Sequence, residues 1–96
     1  MFYQMVADII CTLNGCTTTE LLHSKQEYHT DARYLLIHLL SKRLTNQEIV
    51  RLSTLPKQTV SRIVNGYDFR RRQKYSLRCM QHEAEQQIAH CPDFIP

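Results

Sequence analysis

Residues 44–63 read LTNQEIVRLSTLPKQTVSRI, and the fold turns on how this stretch is parsed. Thr45 followed three residues later by Glu48 is a capping box. In that arrangement the threonine hydroxyl accepts from the backbone N–H at the third helical position, and the glutamate accepts from the threonine's own N–H. A short helix is expected to start there, with Ile49 and Leu52 facing inward at helical spacing. Pro56 suits the first turn of a second helix, where its missing N–H costs nothing. Val60, Ile63 and Val64 form the inner face of that helix. Lys57, Gln58, Ser61, Arg62 and Asn65 fall together on the opposite face. Asn65-Gly66 reads as the helix stop. The outer face therefore carries the side-chain types that hydrogen-bond base edges and phosphates in a DNA major groove. The alternative is a helical hairpin of purely architectural role, because amphipathicity alone says only that one face is buried.

Charge supports the first reading. The 96-residue chain holds 12 Lys and Arg against 9 Asp and Glu, a net charge of +3. Residues 1–48 carry four basic and five acidic side chains, and residues 49–96 carry eight and four. All eight of those basic residues lie within 51–78, beside a single acid, Asp68. A local patch of this kind is the electrostatic footprint of a polyanionic partner. The string LPKQTVSRI is also similar to the recognition helix of many bacterial helix-turn-helix regulators, the IclR type among them. Those regulators continue into a β-hairpin wing. Here YDFRRRQKYSLRCMQHEAEQQIAH (67–90) shows neither strand alternation nor a hairpin turn, so no wing is expected.

The rest of the chain reads as helix. Two glycines and three prolines leave few turn formers, and 43% hydrophobic with 22% charged residues is an ordinary globular composition. A first helix is expected over about Phe2–Asn14, with Val6, Ile9, Ile10 and Leu13 inward and Asn14-Gly15 as its stop. Thr17 and Glu20 form a second capping box opening a short helix with Leu21 and Leu22. Ser24 to His29 is polar and reads as a loop. A third helix is expected from about Asp31 to Lys42. Its YLLIHLL run (34–40) is apolar nearly all round and should be the centre of the fold, with His38 a core or rim histidine. A long last helix is expected over roughly 68–90. On it Leu77, Met80, Ala84 and Ile88 form a stripe that either packs on the domain or makes a homodimer seam. Arg70, Arg71 and Arg72 would then sit in its first turn, against the helix dipole, at a cost of a few tenths of a kcal/mol each. Phosphate contact is the simplest use for such a cluster. The expectation is one all-α domain over 1–96, a bundle of five or six helices.

The order of these pieces resembles the C-terminal DNA-binding domain of the bacterial replication initiator DnaA, a TrpR-like helix-turn-helix, over roughly residues 5–68. The matching residues are Leu21-Leu22 and Ser24-Lys25 before the loop, Ala32-Arg33 opening the long helix, Glu48-Ile49 in the first helix of the motif, and Thr59-Val60 in the second. The resemblance implies that the loop SKQEYHT, with Lys25 as its basic residue, approaches the minor groove. It also implies that Arg33 and Thr59 belong to the DNA face and that the second helix of the motif reads the major groove. Leu55-Pro56-Lys57 stands where that family carries Arg-Asp-His, and Gln58 stands at its first hydroxyl position. No phosphate-binding glycine loop accompanies the domain in a chain with two isolated glycines.

Other chemistry is poorly supported. Cys11, Cys16, Cys79, His82, His90 and Cys91 have no CxxC pair among them, so reduced thiols are expected in place of a zinc site, and no cofactor is implied. Ser61 beside Arg62 has no adjacent base, and Glu83 and Glu85 point to different helix faces, so an enzyme is not expected. No apolar run approaches the ~20 residues of a membrane span. The N-terminal MFYQMVADIICTLNG, without an early Lys or Arg and interrupted by Asp8, is a poor signal peptide, so the cytoplasm is the expected location. The functional expectation is sequence-specific binding to double-stranded DNA through residues 45–65, as a transcriptional regulator or an accessory factor of DNA replication or a mobile element. The alternative is a protein-interaction module that keeps the fold without binding DNA, with an RNA-binding role third.

Overall fold

The computed structural model describes residues 2–90. It holds six α-helices and, among those residues, no strand: α1 (Phe2–Asn14), α2 (Thr18–His23), α3 (Glu27–Ser41), α4 (Asn46–Ser53), α5 (Lys57–Gln73) and α6 (Tyr75–Ala89). The all-α expectation without a wing holds.

α3 is the axle. It touches all five other helices, and Ala32, Leu35, Leu36, Ile37 and Leu40 are fully buried. This is what a stretch apolar nearly all round must do to remove its surface from water. The remaining helices each lay one stripe onto it or its neighbours. These are Val6, Ala7 and Ile10 from α1, Leu21 from α2, Ile49 from α4, Val60, Ile63 and Tyr67 from α5, and Leu77 and Ala84 from α6.

The two capping boxes form. Thr17 Oγ1 accepts from the Glu20 N–H at 3.1 Å while the Glu20 carboxylate accepts from the Thr17 N–H at 3.0 Å. Thr45 and Glu48 repeat the arrangement at 3.2 and 3.0 Å. Both carboxylates are held below their ordinary range, first by the threonine backbone N–H. Between α4 and α5 the chain turns in three residues. Thr54 takes the left-handed conformation (φ 61°), unusual for a β-branched residue. Buried Ser53 braces it: its hydroxyl donates to the Ile49 carbonyl at 2.7 Å and accepts from the Leu55 N–H at 3.2 Å. Pro56 sits at the N-cap of α5, one residue before the first helical position.

Four expectations need correction. The loop over 24–29 is shorter than its polar composition implies, because α3 begins at Glu27. His29 is buried and its Nδ1 pairs with Ser24 Oγ at 2.8 Å, which folds the polar residues into the helix start. Asn65-Gly66 does not end α5. Tyr67 just beyond it is buried, donates its hydroxyl to Gln81 at 2.6 Å and stacks on His38 at 4.0 Å between ring centroids, so packing carries the helix on to Gln73. The last helix does not start at Asp68. The chain breaks at Lys74 (φ −126°, ψ 104°), whose ammonium pairs with Glu27 and lies 3.7 Å from Asp31. In consequence Arg70, Arg71 and Arg72 lie in the last turn of α5, where the dipole favours positive charge, and not in a first turn that opposes it.

The α6 stripe packs on the domain: Leu77 and Ala84 are fully buried, and Met80 and Ile88 pack half-buried against the same core. No helix among the described residues is long and apolar enough to cross a membrane.

Candidate nucleic-acid interface

α5 positions the site. Its buried stripe, Val60, Ile63 and Tyr67, fixes the helix on α3, and the 100° advance per residue then decides where every other side chain points. Gln58, Arg62 and Asn65 project roughly opposite that stripe, with Lys57 at the first turn; all four are exposed. Among the described residues none of these four side chains makes a hydrogen bond or ion pair. Thr59 and Ser61 are half-buried on the two flanks. No acid occupies the first turn of α5, so the partial positive charge of the helix start is not offset there.

The other basic residues are differently employed. Arg33 donates from Nε to the Leu21 carbonyl at 2.8 Å and from Nη2 to the Ser24 carbonyl at 2.6 Å, closing the end of α2. Arg70 donates from Nε to the buried carboxylate of Asp31 at 2.7 Å, and its guanidinium carbon lies 4.5 Å from the Tyr34 ring centroid. Arg72 pairs with Asp68 at 2.9 Å on the open surface. Arg78 donates to the carbonyls of Arg71 and Arg72 and so satisfies the end of α5. Arg71 is half-buried and, with His38, Tyr67 and Gln81, lines a hollow of about 270 Å³ on the α6 side. Lys25 is exposed in the short link before α3. The three consecutive arginines thus point three ways, since neighbours on a helix diverge by about 100°. Among the eleven residues picked from sequence, Lys57, Gln58, Arg62 and Asn65 form one continuous face with Thr59 and Ser61 at its margins. Arg33, Arg70 and Arg71 stand apart from it.

Two features escape the sequence pattern. Phe69 is 71% exposed although it lies seven residues beyond Arg62 and eleven beyond Gln58, which returns it to the same outer stripe. A helix that stops at Gly66 hides it. Beside it lies a cleft of about 470 Å³ between α3 and α5, lined by Tyr34, Arg62, Gly66, Phe69, Arg70, Gln73 and Lys74. Arg51, exposed on α4, is the second omission.

Among the described residues no three His, Cys, Asp or Glu side chains stand together as a metal site. Cys11, Cys16 and Cys79 are free thiols; Cys91 lies outside the described residues. His38 is pushed below its ordinary pKa, first by burial and then by Lys42, which keeps the ring neutral where it stacks on Tyr67. No family model, curated protein or solved structure matches the chain.

Proposed function

We propose that the chain binds double-stranded DNA sequence-specifically through α4, the turn and α5, with the outer face of the first half of α5 reading the major groove. One observation carries the reading. Lys57, Gln58, Arg62 and Asn65 are exposed, unpartnered and on one face, while Arg33, Arg70, Arg72, Lys74 and Arg78 are tied to groups of the protein itself. Arg62 has the fork that matches guanine O6 and N7, and Gln58 and Asn65 have the amides that match adenine N6 and N7. Lys57, at the helix start, suits a phosphate, and Arg51 and Lys25 lie on flanking elements as further backbone contacts. The resemblance to the DnaA-type domain points the same way and suggests a regulator or an accessory factor of replication or a mobile element.

Selection of bound sequences from a random duplex pool tests the proposal. A consensus is expected, with affinity for it falling steeply as salt rises, because each neutralised phosphate releases counterions. A pool that enriches nothing and shows no duplex binding at low salt would contradict it and favour the protein-interaction reading.

A further inference from the structure

Gly66 has no structural reason to be glycine. It sits near the middle of α5, at ordinary helical φ, where glycine is among the worst residues for stability. A Cβ built there would meet no atom within 4 Å, so close packing does not require its absence. What a side chain would do is fill the cleft that Gly66 lines. One wall of that cleft is Phe69, 71% exposed; the other side holds Tyr34 beneath the Arg70 guanidinium. The volume of about 470 Å³ falls in the range of small-ligand sites, about 300–1,000 Å³.

The charges around the cleft say what it takes. Arg70 and Lys74 line it, but the nearby carboxylates of Asp31 and Glu27 already neutralise them. Arg62 lines it too, exposed and without a partner among the described residues. An open aromatic face beside one uncompensated guanidinium fits a planar ring carrying a single negative group. In an undistorted duplex a paired base shows a protein only its edge, so its face is not open to Phe69. We infer that the cleft between α3 and α5 holds one unpaired nucleobase of a nucleic-acid strand, stacked on Phe69 over the open floor at Gly66, with its phosphate on Arg62. The inference rests on the proposed nucleic-acid binding and shares Arg62 with it, but it assigns Phe69 and Gly66 a role that duplex reading does not need.

The test uses the full chain, a single-stranded thymidine hexamer and a perfectly paired duplex. Base–aromatic stacking contributes about 1–3 kcal/mol per base, so Phe69→Ala should weaken hexamer binding about five-fold or more and leave duplex affinity within about two-fold. Gly66→Leu should weaken the hexamer likewise while raising Tm by several degrees, since leucine is the better helix former. That combination separates a filled site from a damaged fold. The chain has no tryptophan, so Phe69→Trp provides a lone tryptophan, excited selectively to the red of the tyrosines, which should keep hexamer binding and be quenched by it. Hexamer binding that is absent in the wild type, or unchanged in both Phe69→Ala and Gly66→Leu, overturns the inference. So does an equal loss on hexamer and duplex, which would place Phe69 in the duplex face. Should no duplex bind while the hexamer still depends on Phe69, the duplex proposal falls and the base site stands.

Discussion

The two halves of α5 contain similar residues and do different work. From Lys57 to Asn65 the outward side chains of Lys57, Gln58, Arg62 and Asn65 are exposed and make no hydrogen bond or ion pair with the rest of the described protein. From Tyr67 to Gln73, and on to Lys74, the polar groups are mostly anchors. Tyr67 holds Gln81, Arg70 holds Asp31, Arg72 holds Asp68, and Lys74 holds Glu27. Charge density is higher in the second half, yet availability is higher in the first. A basic cluster in a sequence is therefore a poor guide to a binding face until each guanidinium has been matched with its carboxylate or carbonyl.

If that contrast is right, substitutions in the second half should register as stability and those in the first half as affinity. The largest effect is expected at Tyr67→Ala, which empties a fully packed site, breaks the bond to Gln81 and unstacks His38. It should cost about 3–4 kcal/mol in a denaturant titration. Arg70→Ala should cost about 2–3 kcal/mol, because Asp31 stays buried with only the more distant Lys74 to offset it; the figure sits below that for a fully buried pair because Arg70 keeps some solvent contact. Arg72→Ala should change stability by less than about 0.5 kcal/mol, its pair with Asp68 being exposed. A loss comparable to that of Arg70 would erase the distinction between anchor and surface pair.

The pH dependence is a finer probe of the second half. The folded pKa of His38 lies below its ordinary 6.5, so the unfolded chain takes up the proton first. Its contribution is fully present above about pH 6.5 and is lost as pH falls through the folded value. The lowered carboxylates Glu20, Glu27 and Glu48 act in the same direction, but only below about 4.5. A His38→Phe variant should flatten the stability profile just below about pH 6.5 and leave the carboxylate limb below about 4.5 unchanged. A profile identical to the wild type would mean that the ring is not held neutral against Tyr67.

Much of this was legible in the sequence where local chemistry decides the outcome. Both capping boxes, the buried YLLIHLL run and the outer residues Lys57, Gln58, Arg62 and Asn65 all come from spacing alone. The failures share a cause. Asn-Gly occurs twice, and the two copies behave oppositely. Gly15 has a φ of 63° and ends α1, while Gly66 stays helical. The residue after Gly66 makes the difference. Tyr67 has a buried place against α3 and α6, and tertiary packing overrides the stop signal. Misplacing that end moves Arg70, Arg71 and Arg72 to the wrong helix and hides Phe69 from the stripe it shares with Arg62. Arg33 shows the other limit: its two carbonyl partners are 12 and 9 residues away in sequence, and no local pattern announces them.

The central claim is that the first half of α5 reads DNA, and Arg62→Ala tests it most directly. Stability should stay within about 0.5 kcal/mol of wild type, as for other exposed positions. Titrations of the selected duplex and of a random duplex at several salt concentrations should show a loss of about 1–3 kcal/mol on the selected site and much less on the random one. Equal losses on both duplexes would make Arg62 a phosphate contact. An unchanged ratio with unchanged affinity would contradict the assignment of this face.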